Sequence, residues 1–274
     1  MKARNETFSL DCYVAFLDIL GFKRISDVHS SEHLKLLYEK FYGIIEHGLS
    51  NGRYVLSQDD DKEYIRPDSR QATVNSLLIS DSVLLWTNDG LAESFANIVE
   101  GVRSLLAFSI IGRIPLRGAI SIAPRKLLLE QWPRENDGFK DSLFAKAFDD
   151  AAKAEKDQQW CGCEITEAAI ECYRKNCGQA PLEKTHILFY PIPREEGQSD
   201  GFVVDWVNHQ QAGINVQNVT NAFAPPINPN ATEWEKFKSD EWPRVAIKLT
   251  NTIKFVEYVK STENQVFVPW CSVP

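Results

Sequence analysis

The chain has 274 residues, a hydrophobic share of 43% and a formal net charge of −8, which suffice for one large core or two small ones and exclude wholesale disorder. The acidic balance argues against a surface that wraps nucleic acid, although a small anionic ligand needs only local positive charge and backbone amides. No stretch approaches the roughly 20 apolar residues of a membrane helix, and MKARNETFSLDCYVAF carries no apolar run of signal-peptide type, so a cytoplasmic protein without a membrane partner is expected.

The first strong element is DCYVAFLDIL, an apolar run from Cys12 to Leu20 bounded by Asp11 and Gly21, whose length and β-branched content predict a buried strand. A helix follows over about 32–49, with Leu34, Leu37, Phe41, Ile44 and Ile45 on one face, and Asn51-Gly52 ends it. The polar segment 53–72 reads as a long flap-like connection. TVNSLLISDSVLLWTND reads as a hairpin with Asp81 at its tip. A helix over about 91–111, a strand over 116–123 (LRGAISIA) and a helix over about 143–156 come next.

A strand at 161–165 precedes a helix at 167–176 and a strand at 186–190. Pro191, Pro193 and Gly197 then signal a break before the strand-like GFVVDWV. Residues 215–232 read as loop, and a last helix is expected over about 244–260. Cys161 and Cys163 share one face of their strand and, with no nearby partner pair, read as buried thiols rather than metal ligands. The sequons at Asn218 and Asn230 would go unused in a cytoplasmic protein.

This order predicts an α+β fold of ferredoxin-like type, with helices packed on one side of an antiparallel-containing sheet. The simplest partition is a catalytic domain over 1–207 and a carboxy-terminal helical appendage over 208–274, packed on that domain or on a dimer partner.

Two carboxylates stand in costly places. Asp18 is the only charge between Val14 and Phe22, and Asp81 the only charge between Val74 and Thr87. A carboxylate inside an apolar strand needs compensation worth several kcal/mol. If the two strands are neighbours the pair converges, and hard oxygen ligands of this kind suit Mg²⁺ or Mn²⁺ with substrate phosphates completing the shell. The bland reading is that Asp18 caps a turn and Asp81 is an ordinary hairpin residue. Gly21, directly after this strand end, would let backbone amides approach a phosphate.

AFLDILGF, followed some 60 residues later by LLISDSVLLW, resembles the class III nucleotidyl cyclases. Phe16, Asp18, Ile19, Gly21 and Phe22 match the first motif of that family, Asp81 the second, and Arg117-Gly118 its next strand. The resemblance implies two metal ions (Mn²⁺ or Mg²⁺) held by Asp18, Asp81 and the Ile19 carbonyl. Phe16, Leu20, Gly21 and Phe22 would line the phosphate loop, and a homodimer would form the sites between chains. It also implies attack of a ribose 3′-hydroxyl on the α-phosphate of a nucleoside triphosphate, with loss of pyrophosphate.

This sequence departs from the purine members. Leu77 stands near the place of their base-reading lysine, and a partner residue falls at Ser142. Where the family presents an Asn and an Arg one turn apart, KAFDDAAKAEK offers Asp149 and Lys153, so transition-state charge would come from Lys153 or Arg117. The opening AFLDILGFK and the later KAFDDAAKAEKDQQWCGCEIT look most like the bacterial pyrimidine cyclases of Pycsar anti-phage defence. That resemblance implies UTP as substrate, cyclic UMP as product and a separate effector protein that reads it. Tyr54 and Tyr64 could stack on a base. Alternatives are a cytidylate or purine cyclase and an inactive nucleotide-sensing module. A diguanylate cyclase is disfavoured, because no Gly-Gly-Asp/Glu-Glu-Phe turn occurs at 80–83.

Overall fold

A computed structural model describes residues 11–22, 30–50, 52–59, 62–124, 144–177, 186–224 and 241–262. Ser142 and the Asn230 sequon lie outside the described residues.

The apolar run becomes β1 (Asp11–Ile19), the third strand of a seven-stranded sheet ordered β4-β5-β1-β6-β7-β9-β8. Its neighbours β5 (Ser82–Trp86) and β6 (Leu116–Pro124) both run antiparallel to it. The helix α1 (Ser31–Leu49), β4 (Asn75–Ile79), β5 and the helix α2 (Ala92–Gly112) complete a β1-α1-β4-β5-α2-β6 unit. Its strand order, β4-β5-β1-β6, is that of the ferredoxin-like fold, as expected.

β1 alternates between two environments. Tyr13, Ala15, Leu17 and Ile19 are fully buried against α1 and α2, within the main core. α1 contributes Phe41, Ile44, Ile45 and Leu49 to it. α2 is apolar on almost every side. It is long and apolar enough to cross a membrane by composition, but 72% of its most apolar window is buried inside this structure. Cys12, Val14 and the partly buried Phe16 face the other way, into a smaller cluster with Leu84, Ala123 and Phe148.

Phe148 belongs to α3 (Phe144–Lys156), which lies along β1 and β6 on that second face. The expectation of helices on one side therefore needs correction: α3 buries Phe148 and Ala151 on the face opposite α1 and α2.

Two more corrections concern strands. The expected flap contains a two-stranded hairpin, β2 (Tyr54–Asp59) and β3 (Lys62–Pro67), separate from the main sheet. Leu56 and Ile65, opposite each other, are 66% and 72% exposed. The hairpin turns apolar Leu56 and Ile65 to solvent rather than to a core, so no apolar face marks it in the sequence. Pro191 and Pro193 also do not end a strand: β8 (Ile187–Arg194) runs through both and pairs with β9 (Gly197–Val204).

β8 is an edge strand, where a missing N–H on the outer side costs no ladder bond. The outward carbonyls of Phe189 and Pro193 accept from the Tyr258 hydroxyl (3.1 Å) and the Gln159 N–H (2.8 Å).

β7 (Gly162–Ile165) runs parallel to β6 and meets β9 through only two residue pairs. The helix α4 (Glu167–Cys177) follows, and a short helix, α5 (Val216–Ala222), lies within the expected loop at 215–232. The last helix, α6 (Trp242–Thr262), buries Phe255, Val256 and Val259 in the main core. It is pinned beside β7, where Thr252 Oγ1 accepts from the Cys161 N–H (2.9 Å) and Asn251 donates to the Gln159 carbonyl (2.8 Å). Cys161 and Cys163 are free, fully buried thiols whose pKa values burial pushes up.

Candidate active site

Antiparallel partners project to the same face, so register alone sets the site. Across the second face, Ile79, Ser82, Asp18 and Arg117 form one row on β4, β5, β1 and β6. Leu77, Leu84, Phe16 and Ala119 form the next row. The strand pairing thus brings Asp18 beside the β4–β5 turn that carries Asp81. The Ile19 N–H donates to the Asp81 carbonyl at 3.0 Å, and the Ser82 hydroxyl donates to Asp18 Oδ1 at 3.2 Å.

Both carboxylates are half-buried. Burial, and next the charge of Asp81, raise the Asp18 pKa; the Ser82 hydrogen bond, Arg117 and Lys248 oppose this. Two aspartates repelling each other at a strand end match the hard, anionic oxygen ligands that Mg²⁺ or Mn²⁺ prefers. Among the described residues no cluster of three or more His, Cys, Asp or Glu could hold an ion by protein ligands alone.

The turn has a cost. Ser80 sits at φ 55°, a left-handed conformation that a two-residue hairpin loop demands and that serine adopts with strain. Gly21, at φ 78°, meets nothing within 4 Å where a Cβ would stand, so backbone conformation rather than crowding calls for glycine there. At Gly118 crowding decides: a Cβ would lie 2.7 Å from Leu17 Cδ2, so the glycine lets β6 close on β1 next to Asp18.

The other sequence-predicted residues divide. Leu20 and Phe22 point their side chains into the core, each 9% exposed, and the Leu20 N–H already donates to the Pro115 carbonyl at 2.9 Å. The Ile19 side chain is likewise buried. Phe16 is half-buried on the Asp18 face, while Leu77 (38% exposed) and Ile79 (52%) leave an apolar strip of that face open at the β4 edge. Asp149 and Lys153 pair with each other at 2.6 Å on the exposed side of α3, and the structure does not bring them to Asp18 in one chain. Tyr54 and Tyr64 lie on the β2–β3 hairpin, both partly exposed, with the Tyr54 hydroxyl 3.2 Å from His47 Nδ1.

Arg117 stands directly across from Asp18 but turns its guanidinium to the end of α3. It forms an ion pair with Glu155 and donates to the carbonyls of Lys156 (3.1 Å) and Gln158 (2.8 Å). Burial pushes the Glu155 pKa up to about 7 against the pull of Arg117, with Asp18 adding to the rise. Sequence reasoning missed Glu155 and also Lys248, a half-buried α6 lysine whose charge is felt at Asp18 and Glu155. Phe148, Ala151 and Glu155, at helical spacing in KAFDDAAKAEK, are the signal by which Glu155 could have been placed inward.

No protein-family model matches the chain, and no curated protein matches it. Two solved structures, both of bacterial light-regulated adenylyl cyclases, are similar at low identity. One is 10% identical, with a TM-score of 0.39, and the match covers 72% of this chain and 91% of that one. The other is 9% identical, also at 0.39, and covers 78% of this chain and 55% of that one.

Proposed function

We propose that the chain is a nucleotidyl cyclase of the class III type. The observation that carries this is the meeting of Asp18 and Asp81 at one end of the open sheet face, each in the motif that resembles that family. Asp18, Asp81 and the Ile19 carbonyl would hold two divalent ions, Mn²⁺ or Mg²⁺, which would lower the pKa of the ribose 3′-hydroxyl and neutralise charge on the phosphates. The backbone at Leu20, Gly21 and Phe22, with Phe16 beneath, borders the triphosphate. Arg117 and Lys153 are the candidate sources of transition-state charge.

Two copies complete the site. The uncovered strip at Leu77 and Ile79 and the outward position of Asp149 and Lys153 support a homodimer in which α3 of one chain serves the carboxylates of the other. The catalytic unit spans 1–207, with 208–274 as its appendage.

For the substrate we favour UTP, giving cyclic UMP that a separate effector protein reads in anti-phage defence. Leu77 supports a pyrimidine over a purine: an aliphatic side chain stands on the Asp18 face near the position where purine members carry a lysine.

The test is incubation of purified protein with Mn²⁺ and each of the four ribonucleoside triphosphates. A pyrimidine should yield a cyclic mononucleotide and pyrophosphate, and Asp18→Ala or Asp81→Ala should abolish the reaction without loss of fold. Conversion of ATP or GTP alone would assign a purine cyclase. Turnover persisting in both variants would sink the metal assignment.

A further inference from the structure

The last helix sends a cation to the open face. Thr252 seats α6 on the Cys161 N–H, and the Thr252 hydroxyl also donates to the Lys248 carbonyl at 2.7 Å, so Lys248 lies one turn before that anchor. Gly162, the next residue after Cys161, is the β7 partner of Arg117. With α6 anchored there, Lys248 comes within electrostatic reach of Arg117, Glu155, Glu195 and Asp18.

The carboxylates around Lys248 already have donors. Glu155 is paired with Arg117, Glu195 accepts from Gln159 at 3.2 Å and Asp18 accepts from Ser82. Among the described residues, no hydrogen bond or ion pair takes the Lys248 ammonium. The side chain is half-buried, but its ammonium is not among the buried unpartnered groups, so it reaches solvent and is open to an incoming anion.

We propose that Lys248 is a phosphate-binding residue, and that α6 docks on β7 to present it to the polyphosphate of a nucleotide held at Asp18 and Asp81. The location of that nucleotide rests on the cyclase reading; the anion subsite itself does not. Burial, and next the Arg117 guanidinium, lower the Lys248 pKa, and a bound polyanion would offset both. The arrangement gives the carboxy-terminal helix a direct part in substrate binding.

The experiment titrates inorganic tripolyphosphate, with Mn²⁺ present, into the full-length wild type and the Lys248→Met, Lys248→Arg and Lys254→Met variants, with thermal unfolding of each. Lys254 lies exposed on the same helix and is the control. Lys248→Met should weaken tripolyphosphate binding by about tenfold or more, Lys248→Arg by about threefold or less, and Lys254→Met not at all, with unfolding temperatures unchanged.

Unaltered affinity in Lys248→Met, or no tripolyphosphate binding by the wild type, overturns the proposal. So does a loss shared equally by Lys254→Met. If Lys248→Met fails to fold, Lys248→Gln decides by the same readout. Lys248-dependent binding in a wild type that cyclises no nucleotide would uphold the subsite and remove the cyclase reading.

Discussion

Odd and even residues of β1 live in different proteins. Tyr13, Ala15, Leu17 and Ile19 are all fully buried in the main core, whereas the opposite face runs from apolar Cys12 and Val14 through half-buried Phe16 to a carboxylate at Asp18. One face supplies the stability that lets the other hold groups that lower it. The Asp81 charge beside Asp18, the burial of Glu155 and the left-handed Ser80 are each unfavourable alone. They gather at one end of one face, as expected where function opposes stability.

The sharpest break of this contrast compares neighbouring residues. Leu17→Ala should destabilise the chain by about 2–5 kcal/mol, because a fully buried side chain leaves a cavity in the main core. Asp18→Asn keeps an acceptor for the Ser82 hydroxyl and removes a desolvated charge that repels Asp81, so stability should hold or rise while nucleotide turnover is lost. Urea denaturation of both variants, alongside the Mn²⁺ assay, checks this. Equal destabilisation would show that Asp18 is a structural residue.

The pH dependence of stability should separate two polar clusters. The folded-state pKa of Glu155, about 7, lies above its ordinary value near 4.5, so the folded chain binds the extra proton between them. That contribution to stability is fully present below about pH 4.5 and is lost as pH rises through 7. Glu155→Gln should flatten this segment of the profile.

On the other side of the sheet, His209 is 7% exposed, with Nε2 3.0 Å from Ser104 Oγ and 3.8 Å from Glu100. Burial, then Arg103, lower its pKa, so its neutral ring favours folding above pH 6.5 and that contribution is lost as pH falls through the lowered value. This rise with pH overlaps the Glu155 fall and opposes it, so His209→Asn should leave a steeper fall between about pH 4.5 and 7, and Glu155→Gln should leave the His209 rise uncovered. Denaturation midpoints of the two variants from pH 4 to 9 check this; variant profiles parallel to the wild type would break the comparison.

How much of this was legible follows from the same two faces. The ferredoxin-like core could be read because its elements are long and bounded by turn residues, and both carboxylates stood out as lone charges in apolar runs. The position of α3 could not be read, since DCYVAFLDIL is apolar on both sides and does not say which helix covers which face. β8 was cut short at Pro191 because a sequence does not announce that a strand lies at an edge. Lys248 was invisible for a different reason: more than two hundred residues separate it from Asp18, and only the docking of Thr252 on Cys161 brings α6 to the site.

A smaller effect is expected at the hairpin tip. Ser80→Gly relieves a left-handed serine and should stabilise the chain by about 1 kcal/mol, less the entropy glycine adds to the unfolded state. If Asp81 depends on a rigid tip, turnover falls as stability rises; unchanged turnover would mean that the ladder pair Ile79–Ser82 alone holds it.

The smallest stability effect belongs to Lys153. Its pair with Asp149 is a solvated i,i+4 contact between side chains 67% and 51% exposed, so Lys153→Ala should leave the unfolding midpoint almost unchanged. Its effect on turnover depends on the proposed dimer, and mixing tests that directly. If Lys153 of one chain serves Asp18 of the other, a dimer of one Asp18→Ala chain and one Lys153→Ala chain has one doubly altered site and one intact site. Random reassociation of equal amounts makes half the dimers mixed, so activity should recover to about a quarter of wild type from two nearly inactive parents. No recovery would mean that Lys153 acts, if at all, within its own chain. The open strip at Leu77 and Ile79 would then need another explanation than a partner's α3.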